Sequence, residues 1–135
     1  MPELPEVETT LRAIKKFQGQ NLTDIKVHNR NLRWAVDKDL EKNSKNQKLI
    51  NLYRRAKYII FELENAYLVL HLGMSGSLRI LKSEDNYFLK HDHIEFIFDH
   101  EKIIYNDPRR FGSLHIAKDI NNHKLISQLG PEPLS

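Results

Sequence analysis

Residues 2–9, Pro-Glu-Leu-Pro-Glu-Val-Glu-Thr, set a proline next to the initiator Met and a carboxylate, Glu3, directly after it. Once Met1 is trimmed, Pro2 presents a secondary amine at the chain terminus. An N-terminal amine has a pKa of about 7.7–8.0, against about 10.4 for lysine. A useful fraction is therefore neutral and nucleophilic at physiological pH. Such amines attack aldehyde-like carbons and form Schiff bases. The same run also suits an ordinary helix start, with proline in the first turn and acids at the positive end of the helix dipole.

Four further groups carry chemical side chains. Lys57 follows Arg54-Arg55-Ala56, and strand alternation predicts that Arg55 and Lys57 share a face. Such a pair suits either a solvated sheet edge or a phosphate contact. His71-Leu72-Gly73-Met74-Ser75-Gly76-Ser77 reads as a hairpin-like turn, with positive φ at Gly73 and Gly76 and Met74 at its tip. An apolar tip of this kind can wedge into a base stack, or can simply pack inward. Lys90-His91-Asp92-His93 puts two histidines on one strand face, and His71 could approach them. Zinc normally needs three or four clustered ligands, so His91 is read as a hydrogen-bonding or phosphate-binding group rather than a metal ligand. Asp107-Pro108-Arg109-Arg110-Phe111-Gly112 joins two strands. Alternation lets Arg109 and Phe111 point the same way, as base reading and base stacking require. The competing arrangement pairs Asp107 with Arg110 over a buried Phe111.

These groups need a scaffold. Val7, Leu11, Ile14 and Phe17 recur at helical spacing and predict an amphipathic helix from about Pro5 to Gln18, with Gly19 as its C′ residue. Leu22, Ile25 and Val27 suggest one short strand. The polar stretch 37–48 reads as a solvated loop or a poorly packed helical turn. Leu49–Leu52, Lys57–Leu63, Tyr67–His71, Gly76–Leu81, His93–Phe98, Lys102–Tyr105 and Gly112–Ile116 are strand candidates, with tight turns at Glu64-Asn65 and Asp99-His100-Glu101. A final helix is expected over about Ile120 to Leu129, ending at Gly130-Pro131. Short strands with no helices between them predict a mainly β fold: a two-sheet antiparallel sandwich, or flattened barrel, flanked by a helix near each end. Residues 1–130 form the expected domain, and 131–135 the start of a linker.

The 135 residues hold no cysteine, which excludes disulfides, a thiol nucleophile and cysteine-bound zinc within this sequence. The longest apolar runs are strand-sized, and the N-terminus lacks a signal-peptide pattern. The expected compartment is the cytoplasm, or wherever a bacterial chromosome lies. Residues 1–60 carry thirteen Lys/Arg against seven Asp/Glu, whereas residues 61–135 carry eight against eleven. That asymmetry permits a basic face for nucleic acid. No Walker or dinucleotide glycine motif is present, since the spacing around Gly73 and Gly76 is wrong and lysine is missing.

Taken in order, Pro2–Thr9, Arg54-Arg55-Ala56-Lys57-Tyr58, His71–Arg79, Lys90–His93 and Asp107–Gly112 resemble the bacterial formamidopyrimidine-DNA glycosylases. Leu129-Gly130-Pro131-Glu132-Pro133-Leu134 resembles that family's boundary after its first domain. Pro5, the Met-Ser-Gly turn and the Arg-Arg-Phe turn favour this branch over the related endonuclease VIII branch.

The resemblance implies the N-terminal domain of a bifunctional base-excision-repair enzyme, a DNA glycosylase and AP lyase acting on 8-oxoguanine and formamidopyrimidines. Pro2 would be the nucleophile and Glu3 would manage protons at the sugar. Lys57, grouped with them, and His91 would hold phosphates around the everted nucleotide. Met74, Arg109 and Phe111 would fill the gap in the duplex, with Arg109 facing the unpaired cytosine. His71 and Arg110 complete the expected DNA-binding set. The partner implied is double-stranded DNA with oxidised guanine or an abasic site, bound by a monomer with no membrane. No cofactor is expected here, because the family's structural zinc and its helix–two-turn–helix element belong to a second half. These 135 residues alone are therefore expected to have low or no excision activity, since that half supplies phosphate contacts. A non-enzymatic DNA-binding remnant or a protein-interaction β-sandwich are the alternatives.

Overall fold

The computed structural model describes residues 4–119. Helix α1 (Leu4–Ile14) runs into a 3-10 turn (Lys15–Phe17) and ends at Gly19 with φ 94°. Its apolar stripe, Val7, Leu11, Ile14 and Phe17, is buried as its spacing requires. The helix ends earlier than expected, and Lys15 turns back to donate to the Leu52 carbonyl. Glu8, near its start, pairs with Arg54 near the end of a long strand.

Among the described residues nine strands form two antiparallel sheets, as expected. One sheet has the order β1 (Asn21–Leu22), β3 (Gln47–Arg55), β4 (Tyr58–Leu63), β5 (Tyr67–His71), β9 (Ser113–Ala117). The other has the order β2 (Asp24–Val27), β7 (Asp92–Ile97), β8 (Glu101–Asn106), β6 (Ser77–Lys82). Their inner faces interdigitate around Phe61 and Phe96, whose rings stack at 5.1 Å, and Phe17 meets Phe98 at 4.6 Å. Burying each such side chain stabilises the fold by about 1.5–3 kcal/mol.

Several expectations change. The single strand at Leu22–Val27 is two strands in different sheets. The chain switches sheets at Thr23, whose amide and hydroxyl both donate to the Ile97 carbonyl, at 2.8 and 3.0 Å. Within the polar stretch 37–48 lies a packed helix, α2 (Leu40–Ser44), with Leu40 and Ser44 fully buried. Its anchor is a bidentate Arg30–Glu41 pair at 2.5 and 2.8 Å. Residues 72–76 are not a hairpin turn, because β5 and β6 lie in different sheets; the segment is a link between the layers. The expected helix over Ile120 to Leu129 and the linker at 131–135 lie outside the described residues.

Register gathers the chemistry at one end of the sandwich. In the first sheet Arg55 pairs with Tyr58, Tyr58 with His71 and His71 with Ser113. In the second, Asn106 pairs with both Ser77 and Asp92, and Val27 with Ile94. The segments around residues 28–36, 56–57, 72–76, 89–91 and 107–112 therefore all emerge together. Lys15, just past α1, reaches Leu52 while Glu8, within it, reaches Arg54, so the start of α1 points towards that end as well.

Asp92 fastens this end of the second sheet. Its carboxylate accepts both Arg79 guanidinium nitrogens at 2.6 Å, Asn106 Nδ2 at 2.8 Å and the Leu89 amide at 2.7 Å. Burial pushes its carboxyl up, but these donors outweigh burial and lower it to about 2. An unfolded aspartate titrates near 3.9. The unfolded chain thus takes the proton first, so Asp92 contributes about 2 kcal/mol that is present above pH ~4 and lost as pH falls towards ~2. Asp92→Asn is expected to lower stability at pH 7 by about 2–4 kcal/mol and to flatten the acid limb of the stability profile, measured by urea unfolding from pH 7 to 2.

Candidate nucleic-acid interface

At this end β3 turns into β4 through two residues, Ala56 and Lys57, with Ala56 at φ 52°. Positive φ suits the tight hairpin. It also means that Lys57 sits at a turn tip rather than sharing a strand face with Arg55. His71 closes β5, where its ring packs edge-on against Tyr58 at 5.0 Å. His71 Nδ1 accepts the Gly73 amide at 3.0 Å, so the ring proton of the neutral form resides on Nε2. Burial, and then the positive charges of Lys57 and Arg33, lower its pKa. His71 is thus a neutral N–H donor at the cleft.

The links 72–76 and 107–112 are locked together by a buried carboxylate. Asp107 accepts Tyr105 Oη at 2.6 Å, Ser75 Oγ at 2.7 Å and the Gly112 amide at 2.9 Å. Ser75 Oγ in turn accepts the Arg109 amide at 3.2 Å. His93 Nε2 donates to the Asp107 carbonyl at 2.7 Å, and the Asp107 amide donates to the His91 carbonyl at 3.1 Å. Burial raises the Asp107 carboxyl, but hydrogen bonds from Tyr105, Ser75 and the Gly112 and Arg110 amides outweigh it and hold it below its ordinary value. Burial and the Asp107 carboxylate push the Tyr105 phenol far up.

Backbone contact completes the lock. Gly73 has φ 70°, and a Cβ there would lie 2.5 Å from the Gly112 nitrogen. A Cβ on Gly112 would overlap Tyr105 Oη and the His71 carbonyl. Gly76 was expected at positive φ but is not among the positive-φ glycines. A Cβ there would instead strike the Leu72 carbonyl.

The lock presents Met74 at 51% exposure and Phe111 at 42%. Arg109 lies over the Phe111 ring at 5.1 Å and reaches Met74 Sδ at 3.9 Å. The alternative of an Asp107–Arg110 pair over a buried Phe111 is therefore overturned: Asp107 is fully used below, and Phe111 stands out. A cleft of about 530 Å³ is lined by His71, Met74, Phe111, Tyr58, Arg33 and Trp34, among others. A second, of about 380 Å³, lies against Arg109, Arg110, Phe111 and Arg33.

His91 has φ 73° and precedes β7, its ring 6.3 Å from that of His93. The two histidines do not share a strand face. His93 is buried under Asp107, and His91 lies outside the lining of the larger cleft. Among the described residues no group of three His, Asp or Glu side chains is placed to hold a metal ion. Pro2 and Glu3 lie outside the described residues. Sequence reasoning missed Arg33 and Trp34. Their signal was a tryptophan beside an arginine in a polar segment without periodicity.

The arrangement is a wedge on a rigid base, flanked by arginines. Residues 1–114 match the family described as formamidopyrimidine-DNA glycosylase N-terminal domain. The chain belongs to that family. It is 46% identical over 137 aligned positions to the formamidopyrimidine-DNA glycosylase of Marinobacter nauticus and 45% identical over 138 to that of Saccharophagus degradans. Both alignments take in 100% of this chain but only 50% and 51% of the relatives, so the chain spans about half their length. The Lactococcus lactis formamidopyrimidine-DNA glycosylase, solved non-covalently bound to DNA containing an AP site, superposes with a TM-score of 0.83 at 30% identity, over 94% of this chain and 49% of that one. Another structure of the Lactococcus lactis protein, a T221P mutant with Fapy-dG-containing DNA, gives 0.80 at 32% identity, over 89% and 45%.

For this glycosylase-family domain the lock should be a measurable unit. Ser75→Ala is expected to cost about 1 kcal/mol and Asp107→Asn about 2–4 kcal/mol in urea unfolding, with non-additive coupling in the double variant. The His71 midpoint should lie below ~6.5 in an NMR titration, with the Nε2–H tautomer retained and the midpoint raised in Lys57→Met. The unfolded chain protonates first near ~6.5, so His71 makes stability fall as pH drops from there to the folded midpoint.

Proposed function

We propose that the chain is the catalytic N-terminal portion of a DNA glycosylase and AP lyase that excises oxidised purines, 8-oxoguanine and formamidopyrimidines, from duplex DNA. The observation that carries this reading is the emergence of Met74, Arg109 and Phe111 as one braced wedge beside His71 and Lys57. Enzymes that act on a base must take it out of the stack. An apolar tip with an arginine beside it suits the vacated space, because the tip fills it and the guanidinium can bond the orphaned base. The two Lactococcus lactis complexes with AP-site and Fapy-dG DNA support the same assignment.

In this reading the Pro2 nitrogen lone pair attacks C1′ of the damaged nucleotide. The glycosidic bond breaks and its electron pair leaves with the base, which takes up a proton. Opening of the sugar ring leaves an iminium between Pro2 and C1′. Glu3 carries protons to and from the sugar. Loss of a C2′ proton expels the 3′ phosphate in β-elimination, and δ-elimination then releases the 5′ phosphate. Lys57, at its hairpin tip, and His91 hold the flanking phosphates. Neutral His71 donates Nε2–H to a phosphate or sugar oxygen at the cleft, and Arg110 adds a backbone contact. The direction of α1 supports this assignment, since its start faces the wedge end.

The chemistry calls on no cofactor held by these residues. The protein works as a monomer at the bacterial chromosome, in the cytoplasm. Among the described residues no helix is long and apolar enough to cross a membrane.

Three forms of the chain test the nucleophile: Met1 removed, Met1 kept, and Pro2→Gly. Borohydride should trap a covalent complex with abasic-site DNA for the Met-free form and not for the Met-kept form, whose Pro2 is an amide. Pro2→Gly should trap less. Excision of 8-oxoguanine from duplex DNA by the 135 residues alone should be low, with lyase action on an abasic site surviving better because no base has to be recognised or expelled. Equal trapping by all three forms would discard Pro2 and point to a lysine.

A further inference from the structure

Arg33 and Trp34 sit at the tip of a strap between β2 and α2 that the reaction above leaves without a role. Leu32 and Val36 are buried in the core and hold its two sides. Asn31 bridges to Ala35, and the Val36 amide donates to the Arg30 carbonyl at 3.0 Å. The Arg33 amide donates to the Gly112 carbonyl at 3.1 Å, which fixes the tip against the wedge. The strap is therefore rigid where it meets the site.

Its side chains are spent differently. Arg30 is neutralised by Glu41. The Arg33 guanidinium has no hydrogen-bond or ion-pair partner among the described residues, and its Cζ lies 5.7 Å from the Trp34 ring centroid. A guanidinium on an aromatic face uses its flat side, and its N–H edge stays available for two parallel bonds to an oxyanion. Trp34 is 52% exposed, although a tryptophan ring gains more than any other side chain from being covered. Arg33 and Phe111 line both clefts, and the Arg33 charge is felt at His71 and Tyr58.

We propose that Arg33 and Trp34 form a nucleotide subsite flanking the wedge, with the guanidinium edge on a backbone phosphate and the indole against the sugar or base of the same strand. It rests on the DNA reading given above and extends it to a strap that the reaction does not use. The ligand class is a DNA phosphodiester with an unstacked neighbour. The subsite holds the strand beside the gap while the wedge occupies it.

Trp34 is the sole tryptophan of the chain, so its emission reports the subsite directly. The protein is titrated with a duplex carrying a tetrahydrofuran abasic analogue at several salt concentrations. The forms compared are wild type, Arg33→Gln, Trp34→Ala and Lys48→Gln. Lys48 is exposed at the far end of β3 and loses the same charge. Emission is followed wherever Trp34 is present, and anisotropy of labelled DNA is followed for all forms. Thermal unfolding of each variant checks the fold, which should persist because the altered side chains are exposed.

Saturation should shield Trp34 from acrylamide. Arg33→Gln should make the slope of log K against log salt shallower by about 0.9, and Lys48→Gln should leave it unchanged. Trp34→Ala should weaken binding at least about fivefold with the slope kept. Identical slopes for Arg33→Gln and wild type, or unchanged acrylamide access at saturation, would overturn the subsite and leave the DNA reading standing. Failure of the wild type to bind the duplex would overturn both.

Discussion

One buried carboxylate organises the end of this molecule where the sequence motifs gather. Asp107 has no exposure, yet it is ionised, because a phenol, a serine hydroxyl and backbone amides all point at it. A buried charge without partners would cost several kcal/mol. The fold therefore holds Tyr105, Ser75 and Gly112 where the carboxylate needs them, and each of these belongs to a different part of the end. Tyr105 comes from the second sheet, Ser75 from one link between the sheets and Gly112 from the other. Satisfying one anion fixes the relation of both layers and both links.

That constraint explains how an exposed wedge stays rigid. Met74, Arg109 and Phe111 receive little support from burial. Their backbones are held from below, by hydrogen bonds at Ser75 and by glycine contacts that leave no room for a side chain. Order at the tips is thus paid for in the core. The positive surroundings then set the chemistry of the neighbours. Burial, Lys57 and Arg33 keep His71 neutral, so it can donate from Nε2 without adding a charge of its own.

The sequence made the scaffold legible wherever a period was kept. The helix stripe Val7, Leu11, Ile14, Phe17 and the alternating strands gave the sandwich and most strand positions within about two residues. It failed where tertiary contacts override the period. The break at Thr23 cannot be read locally, because its hydrogen-bond partner, Ile97, lies far along the chain. Leu40 sits alone in a polar stretch and is buried only because α2 packs beneath β2 and β9. Glu95 and Lys102 pair at 2.7 Å within the second sheet, nearly buried, where composition would put both in solvent. At the site, the motif residues were visible as motifs, but their division of labour was not. Asp107 looked like a partner for Arg110 and is a hub for Ser75, Tyr105 and Gly112. Arg33 and Trp34 belong to no motif, and only the three-dimensional return of the strap to Gly112 gives them meaning.

The close approach of Gly73 to Gly112 also bears on the order in which this chain folds. The two glycines lie in links that both cross between the sheets, and β6, β7 and β8 intervene along the sequence. Their contact closes a long loop and can form only after the layers have docked. The hairpin β3–β4 and its neighbour β5 are local and can assemble first. A chain that has made its sheets but not this contact would have nearly full secondary structure and a loose wedge. Refolded material can therefore pass a far-ultraviolet spectrum while Met74, Arg109 and Phe111 are not yet fixed in place.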